Sequence, residues 1–441
     1  MKKSNFNVFL KYKDYYIGYN TLYGTVIFLV ENLYNLFIGK LENNDFISIK
    51  EIHPQLEKEL INKKFIIEDS VDEIELIRNV LNKTNNDNSF IDITINPTIN
   101  CNFSCWYCYE NHNDKKKIES SEVNNIISFI NNKIYQDKNL KYIKLHWFGG
   151  EPLLHFKDVM KPILTEINNS VRETNKSLFS GITTNGYLIN EEMLDFLVEN
   201  NHKYFQITLD GNRNRHNNIR YNYKGNNTYD KIINNIKLCL MKGFGVSVRL
   251  NISEDTNLCV EELLKDFKDI SDKAKELLIF SVHKVWQASE EVENIIESII
   301  SEIRKNNFNC STYFTSPTSI TNTCYADKIN HLVINPNNKI YKCTARDYSE
   351  ESVEGILLPT GNIEWNKIHN KRIRVSALDY KECVNCKILP ICNAGCSQKK
   401  LENPKGFCPC NYDENIKNKY ARNVLFEKIQ HGKQNLIMTN K

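Results

Sequence analysis

The chain has 441 residues, 41% hydrophobic and 25% charged, with 57 basic against 54 acidic side chains and a net charge of +3. That is length enough for two or three domains with a proper core, and too even a charge to argue for nucleic acid or a membrane surface as a partner. Fourteen cysteines, with no signal-peptide pattern after Met1-Lys2-Lys3-Ser4-Asn5 and no apolar run long enough to span a bilayer, point to a cytoplasmic, metal-holding chain rather than a disulfide scaffold.

In chain order, residues 6–12 and 15–19 read as two strands around a turn at Lys13-Asp14. Residues 22–37 carry apolar side chains at roughly helical spacing. Residues 56–61 read as a helix and 65–67 as a short strand. Residues 1–85 thus make a small α+β unit resembling a winged helix, with an acidic stretch at 68–75 leading into a helix and a polar linker at 84–89. Six strand-like runs follow, at 91–96, 142–148, 178–184, 204–209, 246–252 and 277–285. They alternate with apolar-periodic segments such as 121–135, 153–171, 191–198, 230–241 and 261–270. Such alternation predicts parallel βα units, with the chemistry at the C-terminal ends of the strands.

Three cysteines follow the first of these strands, in Cys101-Asn102-Phe103-Ser104-Cys105-Trp106-Tyr107-Cys108. Zinc sites usually pair cysteines as CxxC, so a lone CxxxCxxC is unusual for zinc. After the second strand stands Phe148-Gly149-Gly150-Glu151-Pro152, after the third Thr183-Thr184-Asn185-Gly186, and after the fourth Thr208-Leu209-Asp210-Gly211. Near the C-terminus, Cys324 and Cys343 flank a hairpin pattern at 332–342 with a turn at Pro336-Asn337-Asn338. Cys383, Cys386, Cys392 and Cys396 then follow at CxxCx5CxxxC spacing, with Cys408-Pro409-Cys410 beyond. The segment 414–433 is charged and helical in pattern. Cys239 and Cys259 lie in apolar helical settings and read as packing residues.

The CxxxCxxC loop resembles the signature of the radical SAM superfamily. The resemblance implies an α/β fold, a partial (β/α)6 TIM-like barrel over 90–310. It also implies a [4Fe–4S] cluster on Cys101, Cys105 and Cys108, whose open iron is chelated by S-adenosylmethionine (SAM) and which yields a 5′-deoxyadenosyl radical. Tyr107 would lie near the adenine. Gly149, Gly150 and Glu151 resemble the family's GGE motif, whose backbone and carboxylate bind the amino group of SAM; a plain strand-to-helix turn with Pro152 at the first helical position is the alternative. Thr184, Asn185, Gln206 and Asp210 fall where the family reaches the ribose or the methionine end, though Asn185 also suits a turn and Asp210 a helix cap. Arg220 and Arg249 are the cationic candidates for the SAM carboxylate. His283 and Gln287, at the end of the sixth strand, are candidates to face the cavity and the substrate, with a satisfied structural histidine as the default reading of His283.

The C-terminal cysteines resemble a SPASM domain, placed at 311–415 with a helix and tail at 416–441. That family carries two auxiliary [4Fe–4S] clusters. Cys324, Cys343 and Cys396 would hold the inner one, with Cys310 a candidate fourth ligand. Cys383, Cys386 and Cys392 would hold the outer one, completed by Cys408 or Cys410. Asn338 stands where the family usually has glycine, and Asn tolerates the same left-handed turn. Two zinc sites are the competing reading of this tail.

Together these resemblances imply a radical SAM oxidoreductase, a maturase that crosslinks a ribosomally made precursor peptide through a thioether or carbon–carbon bond. The 1–85 unit would recognise the leader peptide by strand addition to a sheet edge, or serve only as a cap packed on the core domain, and a flavodoxin or ferredoxin would supply electrons. Sulfatase maturation (formylglycine formation) and epimerisation are alternatives within the class, and a non-catalytic Fe–S or zinc adaptor is one outside it.

Overall fold

The computed structural model describes residues 1–438 apart from 111, 113–115, 223–224, 226, 255, 286, 290–291, 313–318, 322, 374–376 and 404–406. The chain divides into two compact bodies. The first comprises 1–87, 314–329 and 371–441, and the second 88–313 and 330–370.

After a two-residue strand Lys2–Lys3 that pairs with Ile66–Ile67, the first body forms β1 (Asn7–Tyr12), β2 (Tyr15–Asn20) and β3 (Val26–Val30), an antiparallel sheet in that order. Three helices follow, Glu31–Glu42, Phe46–Ile52 and Pro54–Asn62. The helical reading of 22–37 is therefore half corrected. Val26-Ile27-Phe28-Leu29-Val30 is β-branched and aromatic, alternates in burial, and pairs residue for residue with β2, so sheet pairing wins over helical spacing. Both faces of this sheet find cover. Ile27 and Leu29 pack on Phe37, Leu41, Ile49, Leu56 and Leu60 of the helices. Val8, Leu10, Ile17 and Tyr19 pack on Ile388, Ile391, Cys392 and Cys410, and on Val424 and Leu425 of the C-terminal helix Glu414–Met438. Thr21 Oγ1 also donates to the Lys387 carbonyl at 2.6 Å.

The second body is built on an eleven-stranded sheet among the described residues. Its parallel part is β4 (Phe90–Ile95), β5 (Tyr142–Trp147), β6 (Ser177–Thr184), β7 (His202–Leu209), β8 (Gly245–Ile252), β9 (Leu278–Lys284) and β10 (Asn309–Thr312), side by side in chain order. The first six match the expected strands to within two residues at either end. The seventh, Asn-Cys-Ser-Thr, has no apolar pattern to announce it. Beyond β4 lies β11 (His331–Asn335), parallel to it and opening the expected hairpin. Asn337 and Asn338 turn that hairpin at φ +65° and +55°, inside the three-residue loop between the paired Asn335 and Lys339, and Asn tolerates that left-handed backbone. The sheet runs from β10 to the strand Ile363–Trp365 without closing, as a partial barrel does.

Strand alternation sorts the side chains. Ile91, Ile93, Ile95, Leu145, Trp147, Ile182, Phe205, Ile207, Val246 and Val248 are buried in one core with the helices Ser120–Gln136, Lys161–Arg172 and Tyr229–Met241. The opposite face carries Thr94, His146, Thr183, Gln206, Arg249 and His283, distributed over β4 to β9. Parallel strands in chain order put all their C-terminal ends at one edge, where the loops meet.

Candidate active site

The cysteine loop leaves that edge after β4. Main chain organises it: Cys108 N–H donates to the Cys105 carbonyl at 3.1 Å, and Phe103 N–H to Cys101 Sγ at 3.4 Å. Burial pushes the Cys101 thiol up to about 12, with Glu151 and Cys105 adding to the rise and Arg220 opposing it. Burial also raises Cys105 and Cys108, again against Arg220. One guanidinium thus acts on three thiols in a pocket otherwise hostile to thiolates. Such a donor set fits an iron–sulfur cluster, whose own positive charge replaces the thiol protons. His112 flanks the set, its Nε2 3.2 Å from Cys108 Sγ, while its Nδ1–H donates to the Ile99 carbonyl at 2.7 Å.

Tyr107 turns inward and its hydroxyl is a hub. It donates to Asp210 Oδ2 at 2.5 Å and accepts from Arg220 Nη1 at 2.7 Å and Asn251 Nδ2 at 3.0 Å. Arg220 Nη1 lies 3.6 Å from Asp210 Oδ2. Asp210 is 0% exposed and Arg220 7%. This cluster ties the cysteine loop to the ends of β7 and β8. Arg249 stands one step out, its Nε donating to Asn251 Oδ1 at 2.9 Å. Asp210 caps no helix; Asn212 caps Arg213–Ile219 instead.

The loop after β5 is glycine by necessity. Gly149 and Gly150 sit at φ +75° and +46°, and a Cβ on Gly150 would stand 2.1 Å from the Asn100 carbonyl oxygen. Glu151 is 0% exposed and its carboxylate is committed inside the protein. It accepts from Leu153 N–H at 3.0 Å, Thr184 Oγ1 at 2.7 Å and Asn185 N–H at 2.8 Å. Thr184 and Asn185 are therefore bound to the glycine loop, and Asn185 Nδ2 reaches Asn102 Oδ1 of the cysteine loop at 2.7 Å. The Glu110 carboxylate, two residues past Cys108, accepts from Gly150 N–H at 2.7 Å.

Gln206 lies deeper, donating to Thr183 Oγ1 at 3.4 Å beside a 2.9 Å contact from that oxygen to His146 Nε2. Burial lowers His146 to about 4. Burial and then Arg249 lower His283 to about 3, so both stay neutral near pH 7 and offer hydrogen bonds rather than charge. Gln287 Nε2 donates to the Tyr107 carbonyl at 3.3 Å. Sequence reasoning missed Glu110, His112, His146 and Asn251. His146 and Asn251 fall on the polar side of alternating strands, a signal present in the pattern; Glu110 and His112 carry none beyond closeness to Cys108.

The remaining cysteines divide between the bodies. In the first body a cavity of about 350 Å³, its open mouth included, is lined by Cys383, Cys386, Cys392 and Cys408, with Lys417 at its wall. Cys410 is 1% exposed and packs into the core beneath β1 and β2. Cys324 and Cys396 belong to the first body and Cys343 to the second. Cys310 lies in β10 of the second body, pushed up to about 12 by burial, with Arg304 as its charged neighbour.

Residues 95–267 match the model of the Radical SAM superfamily. The chain is 22% identical over 353 residues to a cysteine-type anaerobic sulfatase-maturating enzyme of Clostridium novyi, covering 74% of this chain and 92% of that one. A counterpart from Clostridium perfringens is 21% identical over 325 residues, 67% of this chain and 85% of that one. Among solved structures, anSMEcpe with bound AdoMet (SAM) superposes with a TM-score of 0.58 at 18% identity, over 78% of this chain and 99% of that one. Streptococcus suis SuiB bound to its precursor peptide SuiA gives 0.52 at 16% identity, over 94% and 99%. Among the described residues no helix is long and apolar enough to cross a membrane. The chain therefore carries a radical SAM domain, is homologous to the anaerobic sulfatase-maturating enzymes, and has the α/β fold of anSMEcpe and SuiB.

Proposed function

We propose that the chain is a radical SAM enzyme of the SPASM type that modifies a ribosomally made precursor peptide, forming a thioether or carbon–carbon crosslink within it. The carrying observation is the exposed edge of the N-terminal sheet. Its edge strand β3 leaves Phe28 67% and Val30 52% exposed. An exposed edge with apolar side chains suits an extended peptide, which adds main-chain hydrogen bonds to the edge and rests its side chains on the apolar patch. The likeness to SuiB, a structure bound to a precursor peptide, runs over 94% of the chain, against 78% for anSMEcpe.

On this reading Cys101, Cys105 and Cys108 hold the cluster and the Tyr107–Asp210–Arg220 network fixes the loop that carries them. The cluster and SAM supply the hydrogen-abstracting 5′-deoxyadenosyl radical. Thr94, His146, Gln206 and His283 present neutral hydrogen-bonding groups to a bound peptide segment. In the first body Cys383, Cys386, Cys392 and Cys408 take an auxiliary cluster, and Cys408 rather than Cys410 completes the set because it shares their cavity. Accordingly Cys408→Ser should lower iron and sulfide by one cluster's worth, while Cys410→Ser keeps both. Iron and acid-labile sulfide assays on anaerobically reconstituted protein check this.

The sulfatase-maturase reading is favoured by sequence identity, which is highest to those enzymes among the relatives given above. One experiment separates the two. Reduced enzyme and SAM are incubated with a precursor peptide encoded beside the gene, and with a cysteine-containing sulfatase peptide. Loss of a hydrogen pair from the precursor, with an internal link in its fragmentation pattern, is the expected result. Conversion of the sulfatase peptide alone would overturn the proposal.

A further inference from the structure

Glu110 occupies a position that the cluster loop and the glycine loop share. It stands two residues past Cys108. One carboxylate oxygen, Oε2, accepts from Gly150 N–H at 2.7 Å. The other, Oε1, is buried and has no hydrogen-bond partner among the described residues. A buried carboxylate oxygen left unpaired is costly, and a carboxylate only accepts, so its missing partner is a donor.

The glycine loop's own carboxylate is already spent. Gly150 N–H is used by Glu110, and Glu151 N–H donates to the Asn100 carbonyl at 2.9 Å. The Glu151 carboxylate is wholly enclosed, with three donors on it and 0% exposure. Among the described residues two carboxylate oxygens of the site are left without a partner, Glu110 Oε1 and Asp210 Oδ1; Glu110 is the one that sits on the glycine loop, through Gly150 N–H, and two residues from Cys108.

We propose that Glu110 Oε1, rather than the Glu151 carboxylate, receives the amino group at the methionine end of SAM, while Glu151 acts as the buried brace that shapes the loop. The assignment rests on the radical SAM reading above. It makes Glu110 a cofactor-positioning residue that couples the ligand's amine to the Cys108 end of the cluster loop.

The test measures binding of two probes to anaerobically reconstituted protein by equilibrium dialysis, with iron content determined on each sample. SAM carries the amine; 5′-methylthioadenosine keeps the adenosine and lacks the amino acid. Glu110→Gln preserves size and the acceptor for Gly150 N–H, but replaces a negative charge with a neutral amide. It should weaken SAM about tenfold or more, the range of a hydrogen bond to a charged group, with 5′-methylthioadenosine and iron content unchanged. Glu151→Gln should lower thermal stability and weaken both probes alike. The assignment is overturned if Glu110→Gln binds SAM as the wild type does, if it loses both probes equally, or if Glu151→Gln selectively loses SAM. A wild type that holds no cluster, or holds one and binds no SAM, would sink the parent reading instead.

Discussion

Alanine at Cys105 abolishes SAM cleavage: anaerobically reconstituted C105A is expected to produce no detectable 5′-deoxyadenosine and to lose one cluster's worth of iron. Cys105 is the middle thiol of the set: it raises Cys101 and is itself raised by Cys108, with Arg220 opposing both rises. Two thiolates cannot hold a cubane that needs three protein ligands, so the loss is complete rather than graded. The comparison is Cys239→Ala. That thiol is 0% exposed in the helix Tyr229–Met241 and belongs to the apolar core. Its removal should cost roughly 1–2 kcal/mol of stability through a small cavity and leave SAM cleavage intact. Product detection by chromatography, with iron and sulfide measured on the same samples, checks both. A C105A protein that still cleaves SAM would remove the assignment of this loop.

The second large effect is on stability. Arg220→Met leaves the fully buried Asp210 without its counter-charge and takes a donor from the Tyr107 hydroxyl. Breaking a buried pair from one side typically costs about 3–5 kcal/mol, because the remaining charge stays buried. In a body of this size that lowers Tm by roughly 6–20 °C. Arg220→Met combined with Asp210→Asn should recover part of the loss, since no charge is then stranded. Tyr107→Phe should cost less than Arg220→Met, because it removes a hub but leaves Asp210 and Arg220 free to close on each other. Differential scanning calorimetry on protein of equal iron content reads these values. A single Arg220→Met variant as stable as the wild type would show that the network does not hold the loop.

The sequence made the parallel strands legible because each is buried on one side by a helix layer, which writes a period of two into residues such as Ile91, Ile93 and Ile95. It made the chemistry legible because thiol spacing along one loop is a local property. What it hid was non-local. The Tyr107 hydroxyl meets Asp210, Arg220 and Asn251 across more than a hundred positions of chain, and no spacing rule brings them together. Glu151 shows the complementary limit of a motif, since its place in one said nothing about the three donors its carboxylate accepts from. The strand Val26–Val30 was masked because its apolar residues also fit a helical period, and only pairing with β2 decides between the two. β10 was masked because Asn309-Cys310-Ser311-Thr312 pairs with β9 without an apolar side chain to mark it, apart from the thiol.

The covered second face of the N-terminal sheet has a consequence for engineering. Val8, Leu10, Ile17 and Tyr19 form a wall against which Cys392 and Cys410 are packed, so residues 1–85 are not a detachable adaptor. Cutting them away would bare an apolar surface and unseat the floor under two cysteines at once. Transplanting another enzyme's peptide-recognition unit onto this chain therefore means matching that hidden interface as well as the exposed edge, and the natural unit of exchange is the sheet together with the segment 383–425.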